Sequence, residues 1–256
     1  MTDPVKKHVK SVMWIRDELY DLDDFANPVI GIRDFDDAVC LRFDGIITAS
    51  SDGPYTKRLV MKSALVHAAT DVAVKGAIPI FALDCVIGVE EDVREMIGSL
   101  KKQARHMRIA LIGGNTLIEE ADPRCSITVF GKLMTKEPIR DCGAKSGDVV
   151  ALFGKPIWGE QDERLELAKL MFDTWFEALK KVHVNAAKDV TKGGLVATIY
   201  ELEEKSKIKI TITDQPYLMA RNLDNFIITL PEDEYIKLGE ICSEKGCELR
   251  RIGSVT

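Results

Sequence analysis

Every apolar run in this 256-residue chain is short, and three of them meet glycine beside an oxygen-bearing side chain. The three stretches are Asp52-Gly53-Pro54-Tyr55-Thr56-Lys57, Thr70-Asp71 through Gly76-Ala77-Ile78-Pro79, and Gly113-Gly114-Asn115-Thr116. Each stretch falls at a likely element end. It also sets acidic or amide oxygens at element ends, where bare backbone lets phosphates come close and hard oxygens suit Mg²⁺. A fourth acidic patch, Asp34, Asp36 and Asp37, lies just upstream.

Hydrophobic periodicity fills in the elements between these points. A helix is expected over 6–20, an acidic loop over 21–37, and strands over 39–43 and 46–49, with Asp44-Gly45 as a hairpin signal. A buried helix over 57–75 should stop at Gly76. Next come a strand over 78–86, an amphipathic helix over 90–106, a short strand over 109–112 and another over 125–133. The Pro- and Gly-bearing stretch 136–148 reads as a connection between an N-terminal domain, 1–138, and a C-terminal domain, 139–256. The second half opens with a strand over 149–153. A helix follows with Leu165, Ala168, Phe172, Trp175, Phe176 and Leu179 on one face. Helices over 194–205 and 232–245 and strands over 208–212, 226–230 and 248–255 complete it. Strict βαβ alternation is missing, which favours α+β.

Charge and composition then limit the function. A net charge of −6 and a pI near 5.4 argue against a nucleic-acid surface. No apolar run nears the ~20 residues that span a bilayer, and the first ten residues carry charge without an apolar core, so a cytoplasmic protein with no membrane partner is expected. The six cysteines form no CxxC pair and read as structural thiols. The four histidines are isolated and receive no catalytic role.

Each motif has two readings. Asp52-Gly53-Pro54 is either an ordinary turn or a fixed carboxylate for a metal, with Thr56 and Lys57 turned to phosphate. Asp71 sits among Ala68, Ala69, Val72, Ala73 and Val74, where a carboxylate needs a partner. That partner is either Lys75 at i+4 or a metal. Gly113-Gly114-Asn115-Thr116 is a strand-end turn or a phosphate cradle. Asp189 or Thr191 caps a helix, or Gly193-Gly194 presents bare amides to an anion. Asp36 and Asp37 belong to a solvated loop, unless they fold over Asp52 and Asp71, in which case repulsion calls for a cation.

Taken in order, these motifs resemble the PurM-like superfamily, which includes aminoimidazole ribonucleotide synthetase, selenophosphate synthetase, thiamine-monophosphate kinase and the hydrogenase maturation factor HypE. Asp52 to Leu59 is similar to the synthetase's DGVGTKL, and Thr70 to Pro79 with Phe81 to Asp84 to its ND…GA.P…FLD. Gly113 to Thr116 resembles GG(D/E)T, Gly147-Asp148-Val149 the GDV opening of the second domain, Asp189 to Leu195 the DxTRGGL of HypE, and Asp36 to Val39 the GDDAAV motif. The resemblance implies a two-domain α+β fold with a C-terminal α/β sandwich. It also implies an N-terminal sheet that pairs across a homodimer into a β-barrel. It further implies ATP with Mg²⁺ and phosphoryl transfer to, or activation of, an oxygen on a small acceptor. On it, Asp36, Asp37, Asp52 and Asp71 hold the metal, while Asp52, Lys57 and Asp71 serve catalysis. Thr56, Gly113, Gly114, Asn115, Thr116, Asp189, Gly193 and Gly194 hold nucleotide. Phe35 and Asn115 depart from the pattern, and the second half is short. A non-catalytic nucleotide-binding homodimer is therefore the alternative, with a cyclo-ligase of the synthetase type behind it.

Overall fold

The computed structural model describes residues 29–30, 32–34, 36, 39–42, 45–217 and 221–256. The expected helix over 6–20, most of the acidic loop, Phe35, Asp37 and Asp44 lie outside these residues. Two five-stranded sheets organise the rest, in a mixed α+β arrangement.

The first sheet is built from β1 (Val39–Arg42), β2 (Ile46–Thr56), β3 (Ala77–Gly88), β4 (Ala110–Ile118) and β5 (Arg124–Leu133), in the order β1-β2-β5-β3-β4. All pairings are antiparallel except β3 with β4, which run parallel around an 18-residue amphipathic helix, α3 (Glu90–Met107). One face of the sheet is covered by α2 (Ala64–Val74), whose Ala, Leu and Val side chains are almost all buried. The short α1 (Lys57–Val60) precedes it, so the helix expected over 57–75 is broken at 61–63.

Two further expectations change here. The Asp52-Gly53-Pro54 motif lies within β2 rather than beyond its end. A register shift against β5 between Asp52 and Tyr55 makes room for it. A Cβ on Gly53 (φ +116°) would meet the Cys125 carbonyl at 2.8 Å, so the bulge needs glycine. Likewise Gly113-Gly114-Asn115-Thr116 is no turn: it continues β4, pairing with Leu83, Asp84, Cys85 and Val86. A Cβ on Gly114 would stand 1.8 Å from the Asp84 carbonyl. The glycine permits close strand approach at the sheet edge, which is the physical reason that the expected turn became a strand.

The second sheet comprises β6 (Val149–Phe153), β7 (Ala186–Asp189), β8 (Ile210–Ile212), β9 (Phe226–Leu230) and β10 (Leu249–Val255), in the order β7-β9-β6-β10-β8. Helices α4 (Gln161–Ala178), α5 (Gly194–Ser206) and α6 (Glu232–Lys245) complete this half. One hydrophobic cluster runs from α2 through α4 into the second sheet. Trp175 of α4 is fully buried, packs 5.2 Å from Phe153 and 5.4 Å from Phe226, and donates its indole N–H to the Ala73 carbonyl at 2.8 Å. The two halves thus pack through one continuous core. No described helix is long and apolar enough to cross a membrane.

Candidate functional site

β2 and α2 face one another across the inner side of the first sheet, and their polar residues meet at one end. Ser50 of β2 donates its hydroxyl to Asp71 Oδ2 at 2.7 Å. Asp52, two residues further along the same face, receives its own neighbour's amide, from Gly53, at 2.7 Å and lies 3.4 Å from His67 Nε2. His67 and Asp71 stand one helical turn apart on α2, so they present side chains to the same side. The second half contributes Asp224, whose Oδ1 is 2.5 Å from His67 Nδ1. Asp224 takes a left-handed backbone (φ +57°) just before β9, and the amides of Leu223 and Asp224 bond the Val190 carbonyl, which sets Asp224 beside the end of β7 and Asp189.

The electrostatics of this gathering are explicit. Burial alone would depress His67, but the carboxylates of Asp224, Asp52 and Asp189 outweigh it and lift the imidazole to about 10. His67 is therefore a cation at neutral pH, with both ring nitrogens donating. The Asn222 amide lies 3.1 Å from Nε2, and for a protonated ring its oxygen faces that N–H. Tyr55 lies edge-on to His67 at 5.7 Å. Its phenol is pushed far up by burial and then by Asp52, Asp71 and Asp224, so those three carboxylates act on one buried point.

The other expected residues go elsewhere. Asp36 is almost fully buried 3.0 Å from Lys75 Nζ and 3.4 Å from Arg140 Nε, and it accepts the Asp141 amide at 2.9 Å. Burial, and then the neighbouring Asp141 against the pull of Lys75, leave its carboxyl above the usual range. Lys57, expected at phosphate, is engaged by Asp92 at 2.6 Å and Glu95 at 2.5 Å, at the start of α3. Asn115 and Thr116 are exposed on the edge strand β4, which also carries Gly113 and Gly114. Gly193 and Gly194 do open α5, and Gly194 (φ +71°) uses its amide on the Thr191 carbonyl at 2.8 Å. Asp189 is buried at the end of β7.

Immediately beside the carboxylates opens a cleft of about 390 Å³ between the halves. The His67–Asp224 pair forms one wall, and Arg58, Lys62, Arg164, Lys192 and Arg221, with Trp158, Leu59 and Asn222, form most of the rest. Thr56 lines it too. Sequence reasoning missed His67, Asp224 and this basic wall. The i, i+4 spacing of His67 and Asp71 was the one available signal.

Hard carboxylate oxygens at Asp52, Asp71, Asp189 and Asp224 are the donor set a divalent cation of the Mg²⁺ type prefers. Among the described residues no three acidic, His or Cys side chains form a closed metal-binding group.

Residues 28–133 match the family described as AIR synthase related protein, N-terminal domain, and residues 152–256 match its C-terminal domain. An uncharacterized protein of Methanocaldococcus jannaschii is 35% identical over 97% of this chain and 85% of its own length. The chain belongs to the PurM-like, AIR synthase-related family. A putative hydrogenase expression/formation protein of the same organism is 28% identical over 73% of the chain, and a selenide, water dikinase of Caldanaerobacter subterraneus is 28% identical over 72%. The AIR synthase-related chain spans 64% and 60% of those two proteins. Among solved structures, a HypE–HypF complex superposes with a TM-score of 0.71 at 22% identity, covering 93% of both chains. HypE in complex with ATP gives 0.68 at 19% identity, covering 86% and 79%. A ThiL complexed with AMPPCP and TMP gives 0.67 at 19% identity, covering 93% and 89%. These likenesses establish the fold.

Proposed function

We propose that this protein binds ATP with Mg²⁺ between the carboxylate gathering and the basic cleft, and transfers or uses its terminal phosphoryl group on a small polar acceptor. The observation that carries this is the convergence of Asp52, Asp71 and Asp224 on Tyr55 and His67, directly against a cation-lined cleft. Relatives whose descriptions name a dikinase, and neighbours of the same fold solved with ATP or AMPPCP, support it.

Asp52 and Asp71 would hold the metal, with Asp189 approaching from the second half. Bound Mg²⁺ would neutralise phosphate charge. The chain's own work is positioning: α2 fixes Asp71 and His67 on one face, and the protonated His67 ties Asp52 to Asp224 across the two halves. A positive, partly dry cleft then orients the anionic end of the reactants, which is most of what phosphoryl transfer asks of a protein. Asp36 would serve its ion pairs with Lys75 and Arg140 rather than hold metal. Calorimetry with a non-hydrolysable ATP analogue tests the reading. Saturable binding that strengthens as Mg²⁺ is raised supports it, and no binding at any Mg²⁺ concentration defeats it.

The homodimer implied by the resemblance belongs to the same proposal. The face of the first sheet away from α2 exposes Ile78 and Ile80, each 44% accessible, and the edge strand exposes Leu117 and Ile118. A half-buried Phe81–Phe130 stack at 4.7 Å lies on the same sheet. Exposed aliphatic side chains at both ends of the β3–β4 strand pair, Ile78 and Ile80 at one and Leu117 and Ile118, opposite Ile87 and Gly88, at the other, support an association surface along the sheet. An Ile78→Lys/Ile80→Lys variant should run as a monomer in light scattering where the unaltered protein runs as a dimer. A monomeric unaltered protein would remove the barrel.

A further inference from the structure

α6 ends in the sequence Cys242-Ser243-Glu244-Lys245-Gly246-Cys247, which sets a cysteine on either side of its last turn. Gly246 takes a left-handed backbone (φ +72°), and its amide bonds the Ser243 carbonyl at 3.3 Å. The Cys247 amide reaches back to the Cys242 carbonyl at 2.9 Å. This paired closure is a common glycine stop of a helix, and the side chains at its two ends meet. Taking the 2.9 Å bond with the covalent lengths on either side of it, about 1.5 and 2.4 Å, the two Cα atoms stand at most about 6.8 Å apart, within the span that a disulfide bridges. Neither residue is free to swing away. Both are buried in the hydrophobic cluster that runs through α4 and α6, and the Glu248 carbonyl is held by the Gly154 amide at 2.8 Å. Both sulfurs are free thiols, and Cys242 donates its S–H to Cys247. That bond draws Cys247 below the usual thiol range; the same bond, and then burial, push Cys242 above it.

We propose that Cys242 and Cys247 are an oxidation site, a dithiol that a small disulfide of the oxidised-glutathione class converts into an intrachain bridge across the end of α6. The Cys247 thiolate attacks one sulfur of the reagent, whose S–S bond breaks and releases one small thiolate. Cys242 then loses its proton, and its sulfur attacks the Cys247 sulfur, forming the bridge and expelling the second small thiolate. The protein gives up two electrons and two protons, and the reagent is reduced to two thiols. Cys247 attacks first because its sulfur is the more acidic of the two. It becomes reachable when the last turn of α6 opens, since helix ends open locally without unfolding the whole. The bridge replaces a contact between thiols with a covalent tie from α6 to the start of β10.

The test incubates the folded full chain with oxidised glutathione, alkylates the remaining thiols in denaturant and digests with trypsin without reduction. Trypsin cuts after Lys245, between the two cysteines, so only a bridge holds the peptides Leu238–Lys245 and Gly246–Arg250 together. The linked pair is expected, lighter by two hydrogens than the two reduced peptides and separated by dithiothreitol, with two of the six thiols lost to it. Exposed Cys85 should instead carry a single glutathione. Cys242→Ser should stop at a glutathione adduct on Cys247, whereas Cys247→Ser should leave Cys242 roughly tenfold less modified. The bridged chain should also melt a few degrees higher than the reduced one. Separately alkylated peptides from the oxidised protein overturn the proposal. So does an equal yield of the linked pair from a chain unfolded in urea before oxidation, because nearness in sequence would then suffice. A bridged chain that melts lower than the reduced one overturns it as well, since the helix end would not fit the bond.

Discussion

An Asp52→Asn/Asp71→Asn double variant is expected to bind an ATP analogue with Mg²⁺ roughly 100-fold or more weakly than the unaltered protein. Each carboxylate gives a charge-assisted contact worth about 1.5–3 kcal/mol, and two such losses amount to at least ~3 kcal/mol. The loss should be confined to the Mg²⁺-dependent part: in the absence of Mg²⁺ both proteins should bind the analogue alike. The fold should persist, because Asn can keep the Ser50 and Gly53 hydrogen bonds at 2.7 Å and Asp224 remains to pair with His67. Unchanged affinity and unchanged Mg²⁺ dependence would show that these carboxylates serve the fold alone.

The second large effect concerns stability. Asp141, in the stretch joining the two sheets, is completely buried and bonded by Lys75; Lys205 lies 2.5 Å and Lys188 3.8 Å from its other oxygen. Burial alone would raise its carboxyl, but Lys75, Lys205 and Lys188 outweigh it and hold it well below the usual range. Asp141→Asn leaves three ammonium groups, Lys75, Lys188 and Lys205, to share Asp36 and Glu201, so unfolding at neutral pH should become easier by about 3–5 kcal/mol in urea titrations. The sign with pH follows from the lowered carboxyl. The contribution is present above the unfolded value of about 3.9 and is lost as pH falls through the folded one. The gap between the two proteins should therefore narrow only below about pH 4. A difference under about 1 kcal/mol at neutral pH would mean that water reaches the lysines.

Lys75 also shows where sequence reasoning stops. Its i, i+4 relation to Asp71 was visible, but its ion pairs run to Asp36 and Asp141, 39 and 66 residues away. The four-residue β7 was missed for the same reason: Ala-Ala-Lys-Asp reads as a strand only when Lys188 can be buried against Asp141 and Glu201. Elements decided by their own residues came out well. The strands at Val149–Phe153 and Phe226–Leu230 and the helix Glu232–Lys245 coincide with their expected bounds, because apolar runs and an end glycine suffice to define them. Gly113-Gly114 misled because glycine permits both a turn and a close strand approach, and only the Asp84 carbonyl of the neighbouring strand decides between them.

The site divides along the same line. Asp52 and Asp189 could be singled out because they stand in local motifs at a bulge and a strand end, and Asp71 because apolar neighbours surround it within its helix. Lys57 was not, since the acids that engage it, Asp92 and Glu95, come from the next helix. The basic cleft was invisible: its cations come from separate segments of both halves, and an overall acidic composition hides them.

The most direct measurement is a crystal grown with an ATP analogue and Mn²⁺ in place of Mg²⁺, read by its anomalous signal. The account predicts a metal peak within coordination distance of the Asp52 and Asp71 carboxylates, bridging to phosphate oxygens. A peak at Asp36 and Asp141, or an analogue bound with its phosphates turned away from His67, would contradict it.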